Sequence, residues 1–156
     1  MVQEGDRFPD PKLPDQGGIE RCFDDLVAAN GLVLYVYPRD ATPGCTTQAT
    51  EFRDLLADFH RLGYEVVGLS RDSAESHCKF ITKHDLPFTL LTDADTSFMA
   101  HLGAWGEKKM YGRVSEGVIR STFVVNREGV IRKIYRNVRA KGHARRVLED
   151  LGAATP

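Results

Sequence analysis

The sequence predicts an α/β protein with a central mixed β-sheet and helices on both faces. Three observations carry this. Short apolar runs at 31–37, 64–70 and 88–91 alternate with stretches of helical periodicity; a β-hairpin pattern follows at 121–135; one amphipathic stretch closes the chain at 141–151. Strand–helix alternation favours parallel pairing, and the hairpin adds antiparallel strands to the same sheet. At 156 residues the chain suits one domain with a single real core, expected to span 1–156.

The first thirty residues hold Pro9, Pro11, Pro14 and the Gly17-Gly18 pair and read as a turn-rich opening with a short hairpin, anchored inward by Phe8, Leu13 and Ile19. Cys22 precedes a short helix or turn and reads as a partly buried packing residue. Leu32-Val33-Leu34-Tyr35-Val36-Tyr37 is short, β-branched and aromatic, and is bounded by Gly31 and Pro38, as a buried strand should be. Beyond it, Phe52, Leu55, Leu56, Phe59 and Leu62 fall on one face of a helix, with Glu51, Arg53, Asp54 and Asp58 on the other.

The start of that helix carries the chemistry. Thr42 is a favoured N-cap residue, and Pro43 suits the first helical position, where a missing N–H costs nothing. Gly44 and Cys45 then take the second and third positions. A thiol there meets the positive end of the helix dipole and unpaired backbone N–H groups, which favour its anionic form. A lone cysteine is more often a small core hydrophobe. The neighbours of Cys45 are turn and cap residues, however, and strand ends in mixed sheets are where sites form.

Gly63 reads as the helix stop, Tyr64 to Ser70 as a second buried strand, and Asp72 with Glu75 as a capping box opening a helix that runs to about His84. On that helix Ala74, Cys78 and Ile81 share a face, which is expected to turn inward. Phe88 to Leu91 is a third strand, and Asp95 caps a short helix in which Phe98 and Leu102 are four apart. Gly103 to Gly117 has no clear period and reads as a loop. Ser121–Val125 and Val130–Tyr135, joined by Asn126-Arg127-Glu128-Gly129, form the hairpin. Ala144, Val147, Leu148 and Leu151 mark the inward face of the last helix, with 152–156 as a frayed tail.

Several functions are excluded. With 21 basic and 22 acidic residues no strong field recruits nucleic acid or an anionic membrane, and no apolar run approaches the roughly 20 residues that span a bilayer. The opening MVQEGDRFPD lacks a basic region followed by an apolar stretch, so a cytoplasmic location is expected. Cys22, Cys45 and Cys78 are too few for a disulfide framework and too sparse for zinc, so no metal site is expected. A cysteine phosphatase needs arginine where Glu51 stands, a thioredoxin-type pair needs cysteine where Gln48 stands, and no P-loop is present. A Cys-His hydrolase stays formally open, with His60, His77, His84, His101 or His143 as base.

The run Pro38-Arg39-Asp40-Ala41-Thr42-Pro43-Gly44-Cys45 resembles the peroxiredoxin signature P-x-x-x-T/S-x-x-C. Tyr35 to Asp54, Phe88 to Asp93, Trp105-Gly106-Glu107-Lys108 and Gly117 to Phe123 extend the resemblance to the bacterioferritin comigratory protein, or Q-type, subclass over almost the whole chain. The resemblance implies a thioredoxin-like fold and reduction of hydrogen peroxide or organic hydroperoxides without metal or cofactor. It implies Cys45 as peroxidatic nucleophile, Thr42 orienting the peroxide, Arg120 stabilising sulfur and developing charge, Pro38 shielding the pocket, and backbone N–H of Gly44 and Cys45 assisting. Many members carry a resolving cysteine five positions on, where this chain has Thr50. Others carry it on the following helix, near Ile81. Cys78 is then the expected resolver, by neighbourhood and not by register, with an external thiol as the alternative and Cys22 as a third. Thioredoxin or a similar dithiol is the expected reductant, and the subclass implies a monomer. A thiol redox sensor without turnover is the competing class.

Overall fold

The computed structural model describes residues 1–154. Its elements in chain order are β1 (Leu13–Pro14), β2 (Glu20–Arg21), α1 (Phe23–Leu26), β3 (Gly31–Val36), α2 (Pro43–Arg61), β4 (Tyr64–Ser70) and α3 (Ala74–His84). They continue with β5 (Thr89–Thr92), α4 (Ser97–Leu102), β6 (Trp105–Met110), β7 (Arg113–Val118), β8 (Ser121–Asn126), β9 (Ile131–Tyr135) and α5 (His143–Ala154).

The central sheet has the order β5-β4-β3-β8-β9. β3 is parallel to β4, β4 is parallel to β5, and β8 and β9 add antiparallel pairings, so the sheet is mixed as the element pattern requires. All six residues of β3 are buried because it lies in the middle with helices above and below. Its alternating side chains feed two cores. Val33 and Tyr35 point to the face covered by α2, α3 and α5, among Phe52, Phe59, Phe80 and Val147. Leu32, Leu34 and Val36 point to the other face, covered by the N-terminal segment, α1 and α4, among Phe8, Leu26, Phe98 and Met99. The edge strand β9 is not bare: Gly5 N donates to Ile131 O at 2.8 Å and Ile131 N donates to Asp6 O at 2.9 Å, so the opening segment covers part of its open backbone edge.

Five readings need correction. Ile19 is 62% exposed, because the two-residue strands of the β1–β2 hairpin leave its tip in solvent, while Phe8 is buried as expected. The cap of α3 is Ser73, whose Oγ accepts from Ser76 N at 3.1 Å; the Asp72 carboxylate is taken by Asp40 N at 2.9 Å and Ser70 Oγ at 2.6 Å. The inward face of α3 is His77 and Phe80, and Cys78 is exposed. Scoring histidine as polar rotates the apparent apolar face by about one residue, 100° on a helix. Residues 105–118 are not a loop: β6 and β7 pair from Trp105↔Val118 to Met110↔Arg113 across a turn in which Tyr111 and Gly112 both have positive φ, 52° and 75°. Finally, α5 runs on to Ala154, so the expected tail is helical through that residue, and Thr155 and Pro156 lie outside the described residues.

Candidate active site

β3 ends at Val36 and α2 begins at Pro43, with Thr42 at the N-cap and Pro43 at the first helical position. The first hydrogen bond of the helix is Thr46 N to Thr42 O, 2.9 Å. The amides of Gly44 and Cys45 therefore precede the helical ladder and point their dipoles towards the opening turn. Ala41, just before the cap, holds a φ of 63°. A residue with a Cβ pays about 1 kcal/mol or more in that region, and such strain clusters at working sites.

Cys45 is 2% exposed. Arg120 reaches it from the short link between β7 and β8. Nη2 donates to Cys45 Sγ at 3.3 Å, and Nη1 donates to Gln48 Oε1 in a short contact. One guanidinium thus holds two side chains that are a helical turn apart on α2, which only a planar fork of donors can do. The link is itself fixed: Ile119 N donates to Ala104 O at 2.8 Å and Val138 N to Arg120 O at 3.0 Å. Gly44 leaves room for the approach, since a Cβ built there would stand 3.4 Å from Arg120 Nη2.

Thr42 lies at the N-cap without capping through its side chain, contrary to the simplest expectation; its hydroxyl donates to Arg39 O at 2.9 Å. The proton is committed, so the oxygen lone pairs remain free to accept. Pro38 is half-buried just after β3, beside Tyr37. Cys78 is not brought into this group. It is a free, exposed thiol whose Sγ donates to Gln16 O at 3.0 Å. Cys22 is half-buried at the N-cap of α1, with Sγ donating to Asp25 Oδ2 at 3.1 Å.

The sequence reading missed five residues. Gln48 was legible in principle, being three positions after Cys45 and hence on its face of the helix. Its Nε2 and the Tyr35 hydroxyl are buried without a hydrogen-bond partner among the described residues. Burial, then the negative charges of Cys45 and Asp40, push the Tyr35 phenol well above its usual range, so its proton stays on. Asp40 and His77 form a buried pair, described below. Lys108 on β6 has its ammonium pushed down by burial and then by Arg120, with Cys45 opposing; the β6–β7 ribbon thus brings a further cation into electrostatic reach of the sulfur.

None of the five histidines serves as a base to Cys45. His143 Nε2 meets Thr122 Oγ1 at 2.8 Å, and His77 faces Asp40 and Leu91, so the Cys-His hydrolase has no support. Burial, then Arg146 and Arg120, lower His143 from 6.5 to about 4. Its folded value lies below its unfolded one. Stability from the neutral ring is therefore present above pH 6.5 and lost as pH falls towards 4, a loss of about 3 kcal/mol. Urea unfolding at pH 7 and pH 4.5 should show wild type losing about 2 kcal/mol more than His143→Gln; equal losses would refute this assignment.

Among the described residues no group of three or more His, Cys, Asp or Glu side chains could hold a metal, and no helix is long and apolar enough to cross a membrane. What remains is a buried sulfur in the first turn of a helix, clasped by an arginine, on a mixed sheet of thioredoxin type. That defines a thiol redox protein.

Comparison with known proteins takes the second step. A family model for the AhpC/TSA family matches residues 4–134. The "Putative peroxiredoxin bcp" of Helicobacter pylori strain 26695 is 43% identical over 150 residues, 96% of this chain and 98% of the relative. "Peroxiredoxin Bcp" of Bacillus subtilis is 39% identical, covering 96% and 95%. A solved structure of Xanthomonas campestris bacterioferritin comigratory protein, studied for alkyl peroxide reduction, superposes with a TM-score of 0.85 at 38% identity, covering 92% of this chain and 91% of that one. The chain belongs to the AhpC/TSA family, within its peroxiredoxin Q or Bcp group, and is a thiol-dependent peroxidase of thioredoxin-like fold.

Proposed function

We propose that Cys45 is the peroxidatic nucleophile and that Cys78 resolves it. The observation that carries the first half is the Arg120 Nη2 donor 3.3 Å from a buried sulfur at a helix start. The Cys45 thiolate attacks one oxygen of hydrogen peroxide or an organic hydroperoxide. The O–O bond breaks, the distal oxygen leaves as water or alcohol after taking up a proton, and Cys45 becomes a sulfenic acid. Charge spreads along the S–O–O axis in the transition state, where the Arg120 fork and the amides of Gly44 and Cys45 are already in place. Thr42, with its own proton given to Arg39 O, accepts the peroxide O–H and so sets its orientation. Pro38 limits water at the mouth.

The Cys78 thiol then attacks the sulfenic sulfur, giving a Cys45–Cys78 disulfide and water, and thioredoxin or a similar dithiol reduces the disulfide. A disulfide needs the two Cα atoms within about 7 Å, so the exposed Cys78 must leave its Gln16 contact and the start of α3 must loosen. That cost supports the second reading, a one-cysteine cycle in which an external thiol condenses with the sulfenic acid. The chain works as one domain, 1–156, as a cytoplasmic monomer.

Intact mass after one equivalent of peroxide tests the resolver. Wild type should become 2 Da lighter, the loss of two hydrogens, and Cys78→Ser should gain one oxygen. Should wild type gain one oxygen and stop there, Cys78 is not the resolver. Steady-state peroxide consumption with thioredoxin and its reductase tests the reductant, and sub-stoichiometric turnover would mark a sensor.

A further inference from the structure

Asp40 stands in the active-site loop two residues before Thr42 and is 6% exposed. Its carboxylate accepts from Tyr37 Oη at 2.5 Å, from Ser76 Oγ at 2.9 Å and from His77 Nδ1 at 2.7 Å. Two of these three donors belong to α3. His77 is fully buried, and its other nitrogen, Nε2, donates to Leu91 O at 3.0 Å. Both ring nitrogens face oxygen atoms, so the ring is pinned from two sides, by the Asp40 carboxyl group and by the Leu91 carbonyl. On the loop side Asp40 N donates to Asp72 Oδ2 at 2.9 Å, so the loop is also tied to the segment that leads into α3.

Sequence places Cys78 directly after His77. Successive helix residues differ by 100° in direction, so while the His77 ring is inserted between Asp40 and Leu91, the Cys78 thiol is held on the outside against Gln16 O. Cys78 cannot turn towards Cys45 unless the helix turn that carries it rotates or unwinds, and either movement withdraws His77.

We propose that the Asp40–His77 pair is a latch that holds α3 shut against the active-site loop and sets the rate at which Cys78 is released to oxidised Cys45. Both are positioning residues for the resolving step, and the inference rests on the reading of Cys78 as resolver. Its consequence is a choice between two fates of the sulfenic acid. With the latch open, Cys78 S–H attacks Cys45 S–OH, an S–S bond forms, and water leaves. With the latch shut, a second hydroperoxide transfers an oxygen to the same sulfur, giving the sulfinic acid and the corresponding alcohol or water. Opening this contact is costly, because it breaks hydrogen bonds between buried polar groups and leaves them without partners. The latch therefore favours over-oxidation when peroxide is abundant.

The test is His77→Gln, which keeps a donor towards Leu91 O and loses the one to Asp40. Pre-steady-state quenching and mass spectrometry should show disulfide formation at least about tenfold faster than in wild type, and a correspondingly smaller sulfinic fraction at high peroxide. The second-order rate of the first oxidation, which precedes α3 release, should stay within about threefold. His77→Asn places an amide donor near the Nδ1 position and should return the disulfide rate towards wild type, which a merely destabilised helix would not do. Should His77→Gln fail to fold, Ser76→Ala removes one neutral donor to the same carboxylate and should accelerate the step by a few-fold. An unchanged or slower disulfide rate in these variants, in a protein whose wild type does form the Cys45–Cys78 bond, overturns the latch alone. If wild type forms no such bond, the resolver reading falls and the latch falls with it.

Discussion

Arg120→Met is expected to slow oxidation of Cys45 by hydrogen peroxide by about 10²–10³-fold, the usual loss when a preorganised donor to developing charge is removed. The side chain that replaces it has similar length and no donors, so both the bond to Sγ and the bond to Gln48 disappear. Gln48 is then left with neither its Nε2 nor its Oε1 partnered in a buried setting, which adds disorder at the turn above Cys45. Arg120→Lys separates the two contributions. An ammonium restores the positive charge but is a point donor and cannot hold Sγ and Oε1 at once. It should recover part of the rate, leaving a deficit of about tenfold or more. Single-turnover quenching, followed by mass analysis of Cys45, reads both variants. A loss under tenfold in Arg120→Met would mean that the guanidinium is a structural contact and that the helix-start amides carry the chemistry.

What was readable in the sequence follows the physics of each segment. β3 and the apolar face of α2 were plain because burial from one or two sides forces a run or a 3.6-residue period, and Phe52, Leu55, Leu56 and Phe59 are all buried. The start of α2 was plain because Thr-Pro-Gly has a conformational meaning independent of tertiary context. The β6–β7 ribbon was hidden for the opposite reason. It is two strands thick and largely solvated, so Arg113 to Glu116 are all exposed and no alternation survives. Its turn also uses Tyr111 at a position where asparagine or glycine would have announced it. α3 was misread because a buried, hydrogen-bonded histidine counts as polar in any hydropathy pattern, and it occupies the inward face that Cys78 had been assigned. Arg120 is 75 positions from Cys45, a distance over which composition and spacing are silent; only the family resemblance linked the two.

Phe52→Ala carries the largest expected effect on stability, and it acts on the site through the core. The ring is fully buried, stacks on Tyr35 at 4.6 Å with an interplanar angle of 16°, and meets Phe59 at 5.7 Å. Truncating such a side chain removes its transfer free energy and leaves a cavity, a cost of about 3–5 kcal/mol. Chemical denaturation should show this as a shift in midpoint with little change in slope. Phe52 lies two helical turns after Cys45 on the same buried side of α2, and Tyr35 is the neighbour of Tyr37 that shares its field with Cys45 and Asp40. Removing the ring frees Tyr35 to tilt and lets α2 settle towards β3, which shifts Cys45 Sγ relative to an arginine anchored on a different element. The peroxide rate should therefore fall about tenfold in protein that is still fully folded, since a displacement of 1 Å at a reacting centre can cost up to ~10². Phe52→Leu, which refills most of the volume, should recover most of both losses. A folded Phe52→Ala protein with an unchanged peroxide rate would show that the clasp around Cys45 is held from the helix start alone, independently of the core beneath it.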